Sequence, residues 1–345
     1  MKDQKRLSVV VPGFNTPPKW WARSVGSVRK ACGPEDEIIC VDDGSGVAVD
    51  PRLVGADVDA RVRLVRKENG GLASARNFGM DLMRGKYVTF VDSDDEIRPE
   101  TFSRCLDSLE KTGGDIAIYG VEVLWADEKL RKVDSPPDRD YGRLAPSDVI
   151  ALQKANLLNY VCNKVYRTGF LESAAKDGER RLSFHLKGMP CEDIIFNLGC
   201  LAAGAKWVSV DYAGYMYYHR TNGTLVSAYK PFCMDGLTAC ADAWRNYAMT
   251  LDETERKKFQ DLYSPSSKNL LAKSWRNIWL NNSPYSLLDR WRWLKGNSAL
   301  GGFALFVKTG LFFLARRYLY FRFLRRLHLK KMHPHAVDIG DDCKR

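Results

Sequence analysis

A chain of 345 residues, 45% of them apolar, can bury a substantial core, and at ~150 residues per domain it holds about two domains. The net charge of +11 is high, but much of it lies after Lys295, where Arg316, Arg317, Arg322, Arg325, Arg326, Lys330 and Lys331 crowd together; this argues against a basic nucleic-acid groove over the main body. Nine cysteines, an odd number with no C-x-x-C pair, argue against a zinc or disulfide framework and read as buried thiols in a reducing compartment.

The charged start, Met1 to Arg6, leads straight into Leu7–Val11, a run too short and too β-branched for the apolar region of a signal peptide, so the expected location is cytoplasmic. Leu7–Val11, Glu37–Val41, Val62–Val65 and Tyr87–Val91 read as strands, apolar on both faces as buried parallel strands are. Trp20–Cys32 and Leu72–Met83 read as the helices between them, the second with Leu72, Ala75, Gly79 and Leu82 on one face. Such β-α repetition predicts a layered α/β sheet, in which ligands bind beyond the carboxyl ends of the strands. Pro12-Gly13-Phe14-Asn15, Asp42-Asp43-Gly44-Ser45 and Asp92-Ser93-Asp94-Asp95 should therefore line one crevice. Further on come a helix near Arg98–Lys111, an extended segment Asp115–Trp125 and a polar loop or insertion Asp134–Pro146. A helix Cys191–Ala203, strands Lys206–Val210 and Tyr215–His219, and a helical pattern from Lys230 onward complete the order.

The acids that end the fourth strand need an explanation, because clustered carboxylates repel one another unless a cation intervenes. Asp92 and Asp94 alternate along an extended backbone, so their side chains can converge beyond the strand, and hard oxygen ligands suit Mg²⁺ or Mn²⁺. The pattern thus points to a divalent-metal phosphate site. The plainer alternative is a solvated acidic turn that caps the helix starting near Pro99.

Taken together, these motifs resemble those of family 2 inverting glycosyltransferases of the GT-A fold, the type that builds bacterial surface polysaccharides. The resemblance is carried by Val10-Val11-Pro12-Gly13-Phe14-Asn15, Val41-Asp42-Asp43-Gly44-Ser45, and the block from Asn69 to Gly79 that leads to Phe90-Val91-Asp92-Ser93-Asp94-Asp95. Cys162-Asn163-Lys164-Val165-Tyr166, Glu192-Asp193-Ile194-Ile195-Phe196 and Tyr217-Tyr218-His219-Arg220 extend it to about Ser227. After Ser45 the chain reads Gly46-Val47-Ala48, where the family usually continues Thr-Asp-Gly-Thr.

The resemblance implies a Rossmann-like mixed sheet flanked by helices with a helical C-terminal extension. It also implies transfer of a sugar, with inversion, from a nucleotide-sugar such as a UDP-sugar to a hydroxyl of a growing, lipid-linked glycan. Asp42 or Asp43 would accept from the base or ribose, with Pro12, Phe14 and Asn15 as the neighbouring wall. Asp94 would hold a divalent ion on the leaving group, with Ser93 beside it and Asp92 on ribose or metal. Arg76 is read two ways, as charge near the phosphates or as a salt bridge that fixes the acidic loop. Lys164 is likewise either a cation facing the donor or a surface lysine. Asp193 is the candidate base for the attacking hydroxyl, with Glu192 as its orienting or acceptor-binding neighbour. His219 would be a third metal ligand or a phosphate donor, and Arg220 would neutralise charge from a closing loop.

The expected organisation is a catalytic domain over 1–227, with a nucleotide-sugar half to about 113 and an acceptor half after it, a helical region 228–298, and a basic aromatic tail 299–345. In the tail Tyr320, Phe321, Phe323, Leu324 and Leu327 fall on one side of a helix and Arg322, Arg325, Arg326 and Lys330 on the other, as in an interfacial helix drawn to anionic lipid. A peripheral position on the inner face of the cell membrane is therefore expected. Two other readings compete: a catalytically silent scaffold that keeps the fold, and a nucleotidyltransferase, against which the first strand lacks a Gly-rich, Arg-containing triphosphate loop.

Overall fold

The computed structural model describes residues 5–125, 127–175, 178–185, 191–219 and 233–259. These belong to a compact unit that runs to Tyr263. Arg220, the loop after it and the basic tail lie outside the described residues.

The four apolar runs form parallel strands: β1 (Lys5–Gly13), β2 (Glu37–Asp42), β3 (Val62–Arg66) and β4 (Gly85–Phe90), ordered β3-β2-β1-β4. Helices α1 (Pro18–Ala31) and α3 (Leu72–Leu82) join them, and the short α2 (Pro51–Val54) precedes β3. Two start with a recognisable device: Pro18 sits in the first turn of α1, and Asp50 caps α2 by accepting from the Arg52 N–H at 2.9 Å. Helix α3 buries Ala73, Ala75, Arg76, Gly79 and Met80, a face that includes one cation the apolar pattern did not place there. A Cβ at Gly79 would land inside the Val10 side chain, so glycine sets how closely α3 lies on β1.

Beyond β4 the sheet becomes mixed. The two-residue β5 (Glu96–Ile97) and α4 (Thr101–Thr112) lead to β6 (Ile116–Trp125), then β7 (Leu130–Asp134), β8 (Arg139–Arg143) and α5 (Pro146–Lys154). The motif that contains Lys164 forms β9 (Lys164–Arg167), which runs antiparallel between β4 and β6. After α6 (Thr168–Ser173) and α7 (Glu192–Ala202), the two expected strands prove to be one, β10 (Lys206–His219), parallel to β6 with register shifts between Val210 and Tyr215. Helix α8 (Cys233–Met249) packs against α7. The segment Asp134–Pro146, read as a loop, contains β8, which pairs with β10. Its polar, exposed residues give no strand signal, because only the backbone pairs.

Phe90 packs edge-on to Phe184 (5.2 Å), Phe184 stacks on Phe196 (4.2 Å), and Tyr166 meets Phe196 edge-on (5.4 Å). Each such pair contributes ~0.5–1.5 kcal/mol beyond the area it buries. The cluster also ties α7, whose first residues are Glu192 and Asp193, to the end of β4. All the described free cysteines are buried except Cys191, which is half-buried, and burial raises the thiol pKa of Cys32, Cys40, Cys105, Cys162 and Cys200.

Candidate active site

Parallel pairing places the ends of β1, β2 and β4 side by side, so the three expected motifs share one edge. The Asn15 N–H donates to Ser45 Oγ (2.9 Å) and its Oδ1 accepts from the Gly46 N–H (2.9 Å), which ties the first two loops together. Pro12 is buried in the strand, whereas Phe14, half exposed, and Asn15 both face solvent. Thr16 and Ser93 share a hydroxyl contact at 2.7 Å, joining the third loop to the first.

Asp42 and Asp43 have different roles. Asp43 accepts from the Gly70 and Gly71 N–H groups (3.1 and 2.8 Å) and from Lys67 Nζ (2.9 Å), and so anchors the loop that opens α3. Gly71 lies at φ 84°, where a side chain would be strained. Asp42 accepts from the Ser45 N–H (2.9 Å), and its Oδ2 is buried without a hydrogen bond, 3.6 Å from Arg66 Nη1. Of the two, Asp42 retains the acceptor.

Arg76 resolves in favour of the salt bridge. Its guanidinium, 2% exposed, donates to Asp92 Oδ1 at 3.0 Å and to Asp193 Oδ1, bridging two carboxylates from distant segments. Burial opposes its charge, but Asp193, Asp92 and Glu192 together outweigh burial and raise its pKa. Asp193 Oδ2 accepts from the Val161 N–H (3.2 Å). Burial raises the Asp193 carboxyl above its usual range, Arg76 opposes the shift and Asp92 adds to it. Glu192 is more deeply placed: its Oε2 is buried without a partner, and burial, with Asp193 next, pushes its pKa up to about 7.

The acidic run also divides. Asp92 and Asp94 are half-buried, whereas Asp95 is buried and accepts from Tyr215 Oη (2.9 Å) and the Tyr218 N–H (2.9 Å). Tyr215 Oη in turn accepts from the Asp92 N–H at 3.2 Å, so one phenol holds the strand end. Burial, then Asp94 and Asp92, raises the Asp95 pKa well above the usual carboxylate range. Neither Asp95 nor Tyr215 was assigned a role from sequence, although Asp95 lies inside a quoted motif and Tyr215 starts an expected strand.

Two expectations are corrected. Lys164 does not face the donor: it is fully buried, and its ammonium donates to the carbonyls of Leu157 (2.8 Å) and Tyr160 and to Asn163 Oδ1 (2.8 Å). It holds the loop that presents the Val161 N–H to Asp193, and burial draws its pKa down to about 7. His219 is not gathered with Asp92 and Asp94 into a triad, since among the described residues no three His, Cys, Asp or Glu side chains group as metal ligands. Its ring stacks on Trp125, its in-register neighbour on β6, with centroids 5.0 Å apart.

The family model described as glycosyl transferase family 2 matches residues 8–169. The succinoglycan biosynthesis protein ExoO of Rhizobium meliloti is 29% identical over 66% of this chain and 65% of its own length. The uncharacterized glycosyltransferase EpsJ of Bacillus subtilis is 29% identical over 65% of this chain and 64% of its own. The chain thus spans just under two-thirds of the length of these curated relatives. In three dimensions it resembles residues 1–349 of S. aureus TarS solved with UDP-GlcNAc, with a TM-score of 0.59 and 20% identity over 86% of this chain and 80% of that one. Over residues 8–169 the chain is therefore similar to glycosyl transferase family 2, and its mixed α/β fold is that of the TarS structure.

Proposed function

We propose that the protein transfers a sugar from a UDP-sugar to a hydroxyl of a growing, lipid-linked surface glycan, inverting the anomeric carbon, with Asp193 as the base. The observation that carries this reading is the Arg76 bridge, which brings Asp193 within one guanidinium of Asp92. Inversion needs a base on one side of the donor sugar and charge control on the leaving-group side. The bridge supports such a pairing at the end of the sheet where nucleotides bind in α/β folds. Asp42 Oδ2, buried and free of hydrogen bonds, is suited to accept from the uracil N–H or a ribose hydroxyl, with Phe14 beside it.

The acidic run suits a hard divalent cation, Mn²⁺ or Mg²⁺. Burial raises the Asp95 pKa first, and the nearby Asp94 and Asp92 carboxylates add to it, a concentration of negative charge that a cation relieves. Asp94 and Asp92 would hold it, and when bound it would neutralise the charge developing on the diphosphate. Arg76 fixes the position and charge of Asp92 and Asp193, and the Val161 N–H orients the base. No helix among the described residues is long and apolar enough to cross a membrane, and the alternation of arginine and aromatic residues after Ala299 supports attachment at an anionic lipid surface.

The test is a screen of nucleotide-sugars for Mn²⁺-stimulated hydrolysis, which needs no acceptor, followed by transfer assays. Asp193→Asn is expected to abolish transfer while UDP still binds in calorimetric titration; retained transfer rules out the base assignment. Asp94→Asn is expected to lose the Mn²⁺-dependent part of UDP binding, and an unchanged titration rejects the metal role. Replacing Arg322, Arg325 and Arg326 by Glu in the full chain should release it from anionic vesicles on sedimentation; undiminished binding would remove the membrane role.

A further inference from the structure

Side chains at alternate positions of a strand share one face. On β10 this places Tyr215, Tyr217 and His219 in line, running from the carboxylate cluster outward. Tyr215 is bonded to Asp95 and to the Asp92 backbone, Tyr217 is half-buried, and His219 ends the strand. Beside them, Tyr160 stacks on Tyr217 (6.3 Å, 28° between planes), Tyr217 meets His219 edge-on (6.5 Å), and His219 stacks on Trp125 (5.0 Å, 21°). The inner end adjoins the candidate base, because Tyr160 directly precedes Val161, whose N–H donates to Asp193. The outer end is open: Trp125 is 45% exposed.

An exposed tryptophan gains little from burial, yet this one is firmly held. The Trp125 backbone N–H donates to the Lys129 carbonyl (3.2 Å), and its backbone carbonyl accepts from the Glu128 N–H (2.7 Å), which fixes the turn that carries the ring. Arg23 of α1 clamps that turn by binding Glu128 (3.0 Å) and Glu96 (3.0 Å) while lying over the Tyr218 ring at 3.9 Å. Polar groups flank the row as well. The Asn156 amide donates to Tyr160 Oη, the Asn159 amide donates to Asn156 Oδ1, and His219 Nδ1 is buried without a partner.

We propose that Tyr160, Tyr217, His219 and Trp125 form the acceptor subsite, a platform on which the pyranose rings of a glycan stack while its terminal hydroxyl reaches Asp193. This rests on the glycosyl-transfer reading above. A pyranose ring presents C–H groups on its faces and hydroxyls around its rim. The C–H groups carry partial positive charge and pair with the negative face of an aromatic ring, and the rim needs donors and acceptors such as amides and imidazole nitrogen. The row supplies both kinds of partner in one line, with neighbouring ring centroids 5.0, 6.3 and 6.5 Å apart. The amides, phenols and orphan imidazole nitrogen favour a saccharide over an apolar protein surface.

The experiment uses the full chain with UDP and Mn²⁺ present, and titrates cellohexaose, laminarihexaose and maltohexaose by saturation-transfer NMR and calorimetry. At least one hexasaccharide is expected to bind, and Trp125→Ala to weaken it on the order of tenfold, the scale of one lost aromatic stack. Tyr217→Leu should weaken it as well, whereas Leu130→Ser, an exposed change on the same hairpin, should not. Failure of all three sugars to bind, or equal binding by Trp125→Ala, overturns the proposal, as does a dimer that Trp125→Ala dissociates, since a second copy would then cover the row. Titration of the wild-type chain with UDP alone keeps the two readings apart. Loss there sinks the nucleotide-sugar reading, while UDP binding with no sugar binding sinks only the acceptor platform.

Discussion

Replacing Arg76 by Met keeps an unbranched apolar stem and removes the guanidinium, with its charge and its hydrogen bonds, that Asp92 and Asp193 share. At the 3.0 Å separation from Asp92, the gross attraction is on the order of 5 kcal/mol for an effective dielectric of ~20, with a comparable contribution from Asp193. Most of that offsets the desolvation of a guanidinium that is 2% exposed. Deleting the cation alone leaves both carboxylates unpaired, a change that costs about 3–5 kcal/mol in buried settings. The Asp92 and Asp193 side chains are 28% and 21% exposed, so water recovers part of the loss and the lower end, about 3 kcal/mol, is expected.

The same substitution has a signature in pH. Burial already raises the Asp193 carboxyl, and Arg76 is the largest influence holding it down, so Arg76→Met raises it further. A carboxyl with a raised folded-state pKa favours the fold at low pH and loses that contribution as pH rises through the folded value. The stability deficit of Arg76→Met should therefore be smaller at pH 5 than at pH 8, and the acid limb of kcat/KM for transfer should move to higher pH. Urea unfolding at both pH values and a pH–rate profile measure the two effects. A deficit under about 1 kcal/mol that is the same at pH 5 and 8, with an unmoved limb, would falsify the bridge as the device that sets the Asp193 charge. Arg76→Lys should fall between, because one ammonium cannot fork to two carboxylates.

Lys164→Met takes a donor from three acceptors, two of which, the Leu157 and Tyr160 carbonyls, keep an amide donor from Asn163 and Asn197, and should cost about 1–2 kcal/mol. Because burial lowers the lysine pKa to about 7, its contribution is present at high pH and lost as pH falls towards 7, so the wild-type advantage in urea unfolding should be larger at pH 9 than at pH 7. Tyr215→Phe removes the hydroxyl that Asp95 and the Asp92 N–H share; it should cost about 1–2 kcal/mol and weaken UDP binding with Mn²⁺, and an unchanged titration would separate this phenol from the donor site. Gly79→Ala gains about 1 kcal/mol of helix propensity but drives a methyl into Val10, so thermal unfolding should show net destabilisation; a rise in Tm would mean α3 can lift off β1 at little cost.

What could be read from the sequence follows from burial. Strands β1, β2 and β4 are covered on both faces, so their apolar runs are nearly continuous and their ends fall where the runs stop, which is why the strand-end acids were found. Strand β8, at Arg139–Arg143, is mostly exposed and is selected by backbone pairing with β10, which leaves no trace in side-chain periodicity. The break expected between Val210 and Tyr215 is a register irregularity inside one strand, and a bulge resembles a turn when only residue types are visible. The same distinction separates the acids from their partners. Position along a strand fixes where Asp92 points, but the choice of Arg76 as its partner depends on α3 and α7 meeting there, and residue type alone left that cation equally suited to a phosphate. Lys164 was misplaced for the converse reason: a lysine in a motif reads as a cation for a ligand until the carbonyls of its own loop are seen to take all three of its protons. Cations near a phosphate site therefore divide by burial and acceptor count. A buried cation whose donors are already taken by protein oxygens holds the site together, and charge offered to a diphosphate must come from groups with donors still open.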